Sequence, residues 1–114
     1  MAYDIVITED AERQLRGFPA RQCRFVEDAI LARLVHEPTK ISQAIKRLRP
    51  NPFAEYELRV SDIRVLYNVE DDKVVLLLIG RKVGNKLVVE GQEFHGHKDD
   101  PPQPPGSGSS PDAE

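Results

Sequence analysis

The sequence predicts an α+β domain in which an N-terminal strand and a helical hairpin pack on one face of a mainly antiparallel, four- to five-stranded sheet. Three observations carry that prediction. Cys23, Val26, Ile30 and Leu34 recur at helical spacing. Downstream, Tyr56–Val60 and Ile63–Val69 alternate between faces, while Val74–Ile79 is continuously apolar, as a central strand would be. A β-rich run, AYDIVI at residues 2–7, precedes the helices, so the order reads β-α-α-β-β-β-(β).

Each element has local chemistry behind it. Thr8 suits a helix N-cap, and Glu9 and Asp10 place negative charge in the first turn, where the helix dipole favours it. Ala11 and Leu15 share a face of this short helix, which stops near Gly17. Pro19 opens a second helix that runs toward Pro38. In Lys40–Pro52, apolar Ile41, Ala44, Ile45 and Leu48 are interleaved with Lys46, Arg47 and Arg49, a pattern that fits a helical turn ended by Pro50 and Pro52. Ser61-Asp62 and Glu70–Lys73 carry turn chemistry between the following strands. A last short strand, Lys86–Val89, ends at Gly91. The domain is expected over residues 1–94. Residues 95–114, which close on DDPPQPPGSGSSPDAE, are expected to form a disordered tail.

Bulk properties exclude several classes. A chain of 114 residues makes one domain. Its single cysteine, Cys23, rules out an internal disulfide and a cysteine-based zinc site. No apolar run reaches the length of a membrane span, and the N-terminus lacks a secretory layout, so a soluble cytoplasmic protein is expected. The net charge of −3 is uneven: from Lys98 to Glu114 there is one cation against four acids, and residues 1–97 are neutral overall. That neutrality argues against a strongly basic nucleic-acid binder but allows a local basic patch. No nucleotide-binding glycine loop, Ser/His/Asp arrangement or metal-ligand spacing is present, so no cofactor or metal is expected.

The candidate site residues are cations. Strand alternation puts Tyr56, Leu58 and Val60 on one face with Ile63, Val65 and Tyr67, and Arg59 and Arg64 on the other. Arg81, Lys82 and Lys86 follow the apolar run, and their expected place is the same outer surface, giving five cations from three segments. The competing reading is a solvated face neutralised by Glu55, Glu57, Asp62 and Glu90, since structural ion pairs also cluster charge. Glu57 beside Arg59 is either a general base or an ion-pair partner. His95 and His97, with Glu93, suit a proton shuttle or metal, or plain solvation. His36 complements a helix C-terminus, and Cys23 and Tyr67 read as core, with Tyr56 at a strand edge.

The segment YELRVSDIRVLYNVEDDKVVLLLIG, set after a strand and a helical hairpin and followed by RKVGNK, resembles the RelE/ParE superfamily of toxins from type II toxin–antitoxin systems. The likeness covers most of residues 3–90, and the closing NKLVVEGQEF is similar to a subset of that superfamily. RelE-like members are endoribonucleases that cut messenger RNA in the ribosomal A site. In them the ribose 2′-hydroxyl attacks the adjacent phosphate and leaves a cyclic phosphate. ParE-like members poison DNA gyrase, and in both groups a cognate antitoxin masks the working surface. The resemblance implies that Arg64, in its R-V-x-Y context, clamps phosphate, with Arg59 as a helper and Arg81, Lys82 and Lys86 as further RNA contacts. The chain departs from RelE in carrying Glu55 and Glu57 where RelE has lysines, and Glu90 nearest the position of RelE's late tyrosine. A family member that only binds protein is the third reading.

Overall fold

The computed structural model describes residues 2–94. The expected disordered tail, His95 and His97 lie outside the described residues. The elements are β1 (Asp4–Ile7), α1 (Glu9–Arg16), α2 (Ala20–Leu34), β2 (Ile45–Arg47), β3 (Tyr56–Val60), β4 (Ile63–Glu70), β5 (Lys73–Val83), β6 (Lys86–Val89) and β7 (Gln92–Phe94). The α+β class holds, with β2 and β7 added to the expected strands.

The sheet runs β2-β3-β4-β5-β6-β7 through antiparallel neighbours, and β1 joins β5 in parallel. β5 is therefore the backbone of the fold. One of its edges is filled by β4; the other is shared by β1, up to Ile7 opposite Leu76, and by β6, from Val88 opposite Arg81. Helix α1 closes the gap between them. Thr8 caps α1 by accepting from the Ala11 N–H at 3.2 Å, and its hydroxyl donates to the Leu76 carbonyl at 2.9 Å. The buried Gln14 side chain accepts from the Ile79 N–H at 2.8 Å. A side chain thus completes a strand edge that no neighbouring strand reaches, which burial of the backbone requires.

The helix stripe behaves as its spacing predicts: Cys23, Val26, Ile30 and Leu34 are all buried against Leu58, Val65 and Leu76 of the sheet. The Cys23 thiol donates to the Leu15 carbonyl, tying α2 to the end of α1. Tyr67 is fully buried, stacks on Tyr56 with ring centroids 5.5 Å apart, and donates its hydroxyl to the Pro38 carbonyl. Burial pushes its phenol well above the ordinary range.

Two expectations about local structure are corrected. The apolar spacing in Lys40–Pro52 does not make a helical turn; it contains β2, paired antiparallel with β3. Ser42 sets up that strand by accepting from the Ala44 and Ile45 N–H groups, and Ile45 and Leu48 then face different cores. Lys86–Val89 does end before Gly91 as expected, but it is not the last strand. Glu90 and Gly91, both at positive φ (54° and 81°), make a two-residue turn into β7.

Candidate anion site on the β3–β4 hairpin

The face of the sheet away from the helices is not bare. Leu48, Ala54, Leu66 and Leu87 form a second buried cluster there, with Leu77, Leu78, Val89 and Phe94 packed on it. The Phe53 ring meets Phe94 edge-on at 5.0 Å. Gly80 permits this. A Cβ at that position would lie 2.7 Å from the Val88 carbonyl oxygen and 2.8 Å from the Val89 side chain, so only glycine lets β6 come this close.

Arg59 and Arg64 project from the same face. They are directly opposite in the β3–β4 register, which brings their Cβ atoms to within roughly 5 Å. Each guanidinium is anchored through one corner. Arg59 Nε meets Glu57 Oε1 at 3.4 Å. Arg64 Nη1 donates to the carbonyls of Ser61 and Ile63 at 2.7 and 3.1 Å, and its Nε is buried with no hydrogen-bond partner among the described residues. Ser61 sits at φ 57° to turn the hairpin, and this aims its carbonyl at Arg64.

The expected convergence of five cations does not occur on that face. Arg81 and Lys82 lie within β5 rather than after it, so they point to opposite sides. A β-bulge sets which goes where: Tyr67 pairs with Leu76 but Leu66 with Leu78, leaving Leu77 extra. Arg81 pairs with Ile63 and so faces the helices. There Nη1 meets Asp62 at 2.6 Å, Nη2 donates to Gln22 at 2.8 Å, and the guanidinium lies 5.1 Å from the centre of the Phe18 ring. Lys86 pairs with Val83 on that side too and meets Glu93 at 3.6 Å. Lys82, opposite Leu87, is the late cation on the side of Arg59 and Arg64. All four of Arg59, Arg64, Arg81 and Lys82 nevertheless gather at the β3–β4 turn end of the sheet, where Asp62 binds the Arg81 side chain and the Lys82 N–H.

Two acids that replace expected family residues also have definite places. Glu57 is fully buried on the outer face, opposite Lys46 in β2 and beside Arg59. Glu90 is held by Arg13 of α1 through two hydrogen bonds, at 2.9 and 3.2 Å, which draw its carboxyl below the usual range. Arg13 and Glu90 line a cavity of about 490 Å³ with Phe18, Ile79, Arg81 and Val88. It opens on the helix side, away from Arg64. Sequence alternation alone missed this cleft because the Arg13–Glu90 contact spans 77 positions. Among the described residues no group of three or more His, Cys, Asp or Glu side chains could hold a metal, and no helix is long and apolar enough to cross a membrane.

Two helices packed on a mainly antiparallel sheet give this chain a RelE-like fold. Solved structures agree. The toxin–antitoxin complex RelBE2 from Mycobacterium tuberculosis matches at 26% identity over 72% of this chain and 100% of that one, with a TM-score of 0.62. The archaeal RelE–RelB complex from Pyrococcus horikoshii OT3 matches at 22% identity over 75% and 99%, with a TM-score of 0.60, a likeness of fold. The resemblance to the RelE/ParE superfamily seen in YELRVSDIRVLY therefore holds in three dimensions. No family model and no curated protein matches the chain.

Proposed function

We propose that this chain is the toxin of a type II toxin–antitoxin pair, neutralised by a protein antitoxin, and that it cleaves messenger RNA on the ribosome. The observation that carries the RNA reading is the cross-strand Arg59–Arg64 pair, with Lys82 on the same side and the same end of the sheet. Arg64 presents a planar donor fork of the kind that suits a phosphate, and the hairpin carbonyls of Ser61 and Ile63 hold it through Nη1. In the reaction the RNA's 2′-hydroxyl loses its proton and attacks the adjacent phosphorus. The bond to the 5′-oxygen breaks, that oxygen takes up a proton, and a 2′,3′-cyclic phosphate remains. Arg64 and Arg59 stabilise the charge that gathers on the non-bridging oxygens. Glu57 is fully buried and does not reach a substrate, so it is not the base.

One feature favours a second reading. Arg59 is already paired with Glu57, and Arg81 faces the helices on Asp62, which leaves fewer cations toward RNA than five. That arrangement suits a protein target such as DNA gyrase, or protein binding alone. Inducing the chain in cells separates these readings. The RNA reading expects growth arrest with messenger ends mapping to A-site codons, and a loss of cleavage of about 100-fold or more in Arg64→Ala. The variant should stay folded, with a stability loss of about 1–2 kcal/mol for the hydrogen bonds to the Ser61 and Ile63 carbonyls. DNA breaks and an SOS response without messenger cleavage would replace it with the gyrase reading.

A further inference from the structure

We propose that Glu57 is a positioning residue for the anion site: its buried carboxylate holds Arg59 in the orientation that a phosphate needs. This rests on the RNA reading and gives it an internal part.

Glu57 stands where the fold asks for an apolar side chain. It is directly opposite Leu66, whose β5 partner is Leu78, and both leucines belong to the outer cluster. A carboxylate taken wholly out of water costs several kcal/mol unless paired charge offsets it, and hydrophobic replacement of such groups is often neutral or stabilising. Packing alone therefore gives no reason for glutamate here. Position does. Lys46 is directly opposite Glu57 on β2, Arg59 is two residues along the same strand, and Arg64 is the diagonal neighbour on β4. The acid sits at the centre of three cations.

The contact geometry says what the acid does for Arg59. Glu57 takes the Nε corner of the guanidinium, and Arg59 is still 38% exposed. Among the described residues Arg59 makes no other side-chain hydrogen bond, so its two terminal amino groups remain for a ligand. Arg64 is anchored likewise through Nη1, on the Ser61 and Ile63 carbonyls. Both guanidinium groups are thus held at one corner before any ligand arrives. A long flexible side chain held this way loses less freedom on binding, a saving of about 0.5–1.5 kcal/mol per side chain, or about two- to tenfold in affinity.

This role predicts a sign that bulk electrostatics reverses. Glu57→Gln removes a negative charge beside an anion site. If Glu57 acted only through its charge, RNA would bind the variant more tightly. If Glu57 positions Arg59, RNA binds about two- to tenfold more weakly despite the added positive charge. A purely structural glutamate would lower the unfolding midpoint and leave the folded protein's affinity unchanged.

The test uses a fluorescein-labelled single-stranded RNA oligonucleotide with the full chain, its Glu57→Gln variant and Arg64→Ala. The Arg59 Nε–H resonance is followed by NMR in parallel. The expected result is weaker binding by Glu57→Gln and an Arg59 Nε–H signal that exchanges faster with solvent. Tighter or unchanged binding by Glu57→Gln, or an unmoved Arg59 signal, overturns the proposal. Failure of the RNA reading looks different: the unaltered chain does not bind, or Arg64→Ala leaves binding intact, and the positioning role for a phosphate falls with it. Should Glu57→Gln not fold, Glu57→Asp carries the same test, because it keeps the charge and shortens the reach. Weaker binding is again expected, and unchanged binding overturns the proposal.

Discussion

The two faces of this sheet are built by different rules. The helix-covered face is a continuous core in which Leu58, Val65 and Tyr67 are wholly buried, and the polar side chain buried in it, Gln14, serves a backbone N–H. The outer face holds a smaller apolar cluster and, in the same rows, a buried acid and two opposed arginines. Apolar continuity secures the fold on the first face. On the second, burial serves to hold charged groups in fixed attitudes beside solvent, which a fully apolar or fully solvated surface could not do.

The largest effect that sharpens this contrast comes from paired truncations. Leu58→Ala, in the main core, should cost about 2–5 kcal/mol in urea unfolding, and Leu87→Ala, in the outer cluster, should fall near the lower end of that range. Equal losses would mean that the outer cluster is as much a part of the core as the inner one. Gly80→Ala comes next, at about 1–3 kcal/mol, because the methyl group meets the Val88 carbonyl at a distance that no strand rearrangement avoids cheaply. It should also disturb Arg64, its partner in the β4–β5 register.

Gln14→Ala should cost a similar or smaller amount, about 1–3 kcal/mol, by leaving the Ile79 N–H buried and unpaired. Hydrogen exchange should then accelerate at Ile79 ahead of its β4-paired neighbours. The smallest effect is a pH dependence. Arg13 lowers the folded-state pKa of Glu90, so the contact stabilises the fold above the unfolded value of about 4.3 and is lost as pH falls through the lower folded value. Arg13→Ala should flatten the stability profile in that acidic window, and added salt should do the same, since both side chains are exposed.

Much of the inner face was legible in the sequence and much of the outer face was not. Cys23, Val26, Ile30 and Leu34 reveal their helix because local spacing and tertiary burial agree. Ile41, Ala44, Ile45 and Leu48 mislead for the converse reason: their spacing is helical, yet β3 offers Ile45–Arg47 a strand edge, and tertiary pairing overrides the local pattern. The opposition of Arg59 and Arg64 follows from alternation through a two-residue turn and was readable. Arg81 was not, because an alternation count from Val74 fails once a residue goes unpaired. The burial of Glu57 was equally hidden, since the side chains that surround it come from β2, β4 and β5.

That unpaired residue, Leu77, has a consequence for how such a scaffold changes its chemistry. Were Leu77 drawn into the ladder opposite Leu66, everything beyond it would exchange sides, turning Arg81 to the face of Arg64 and Lys82 toward the helices. The choice between a guanidinium and an ammonium neighbour is therefore made by whether one residue of β5 is paired, so a change of register at the bulge would retune the site without replacing any residue in it.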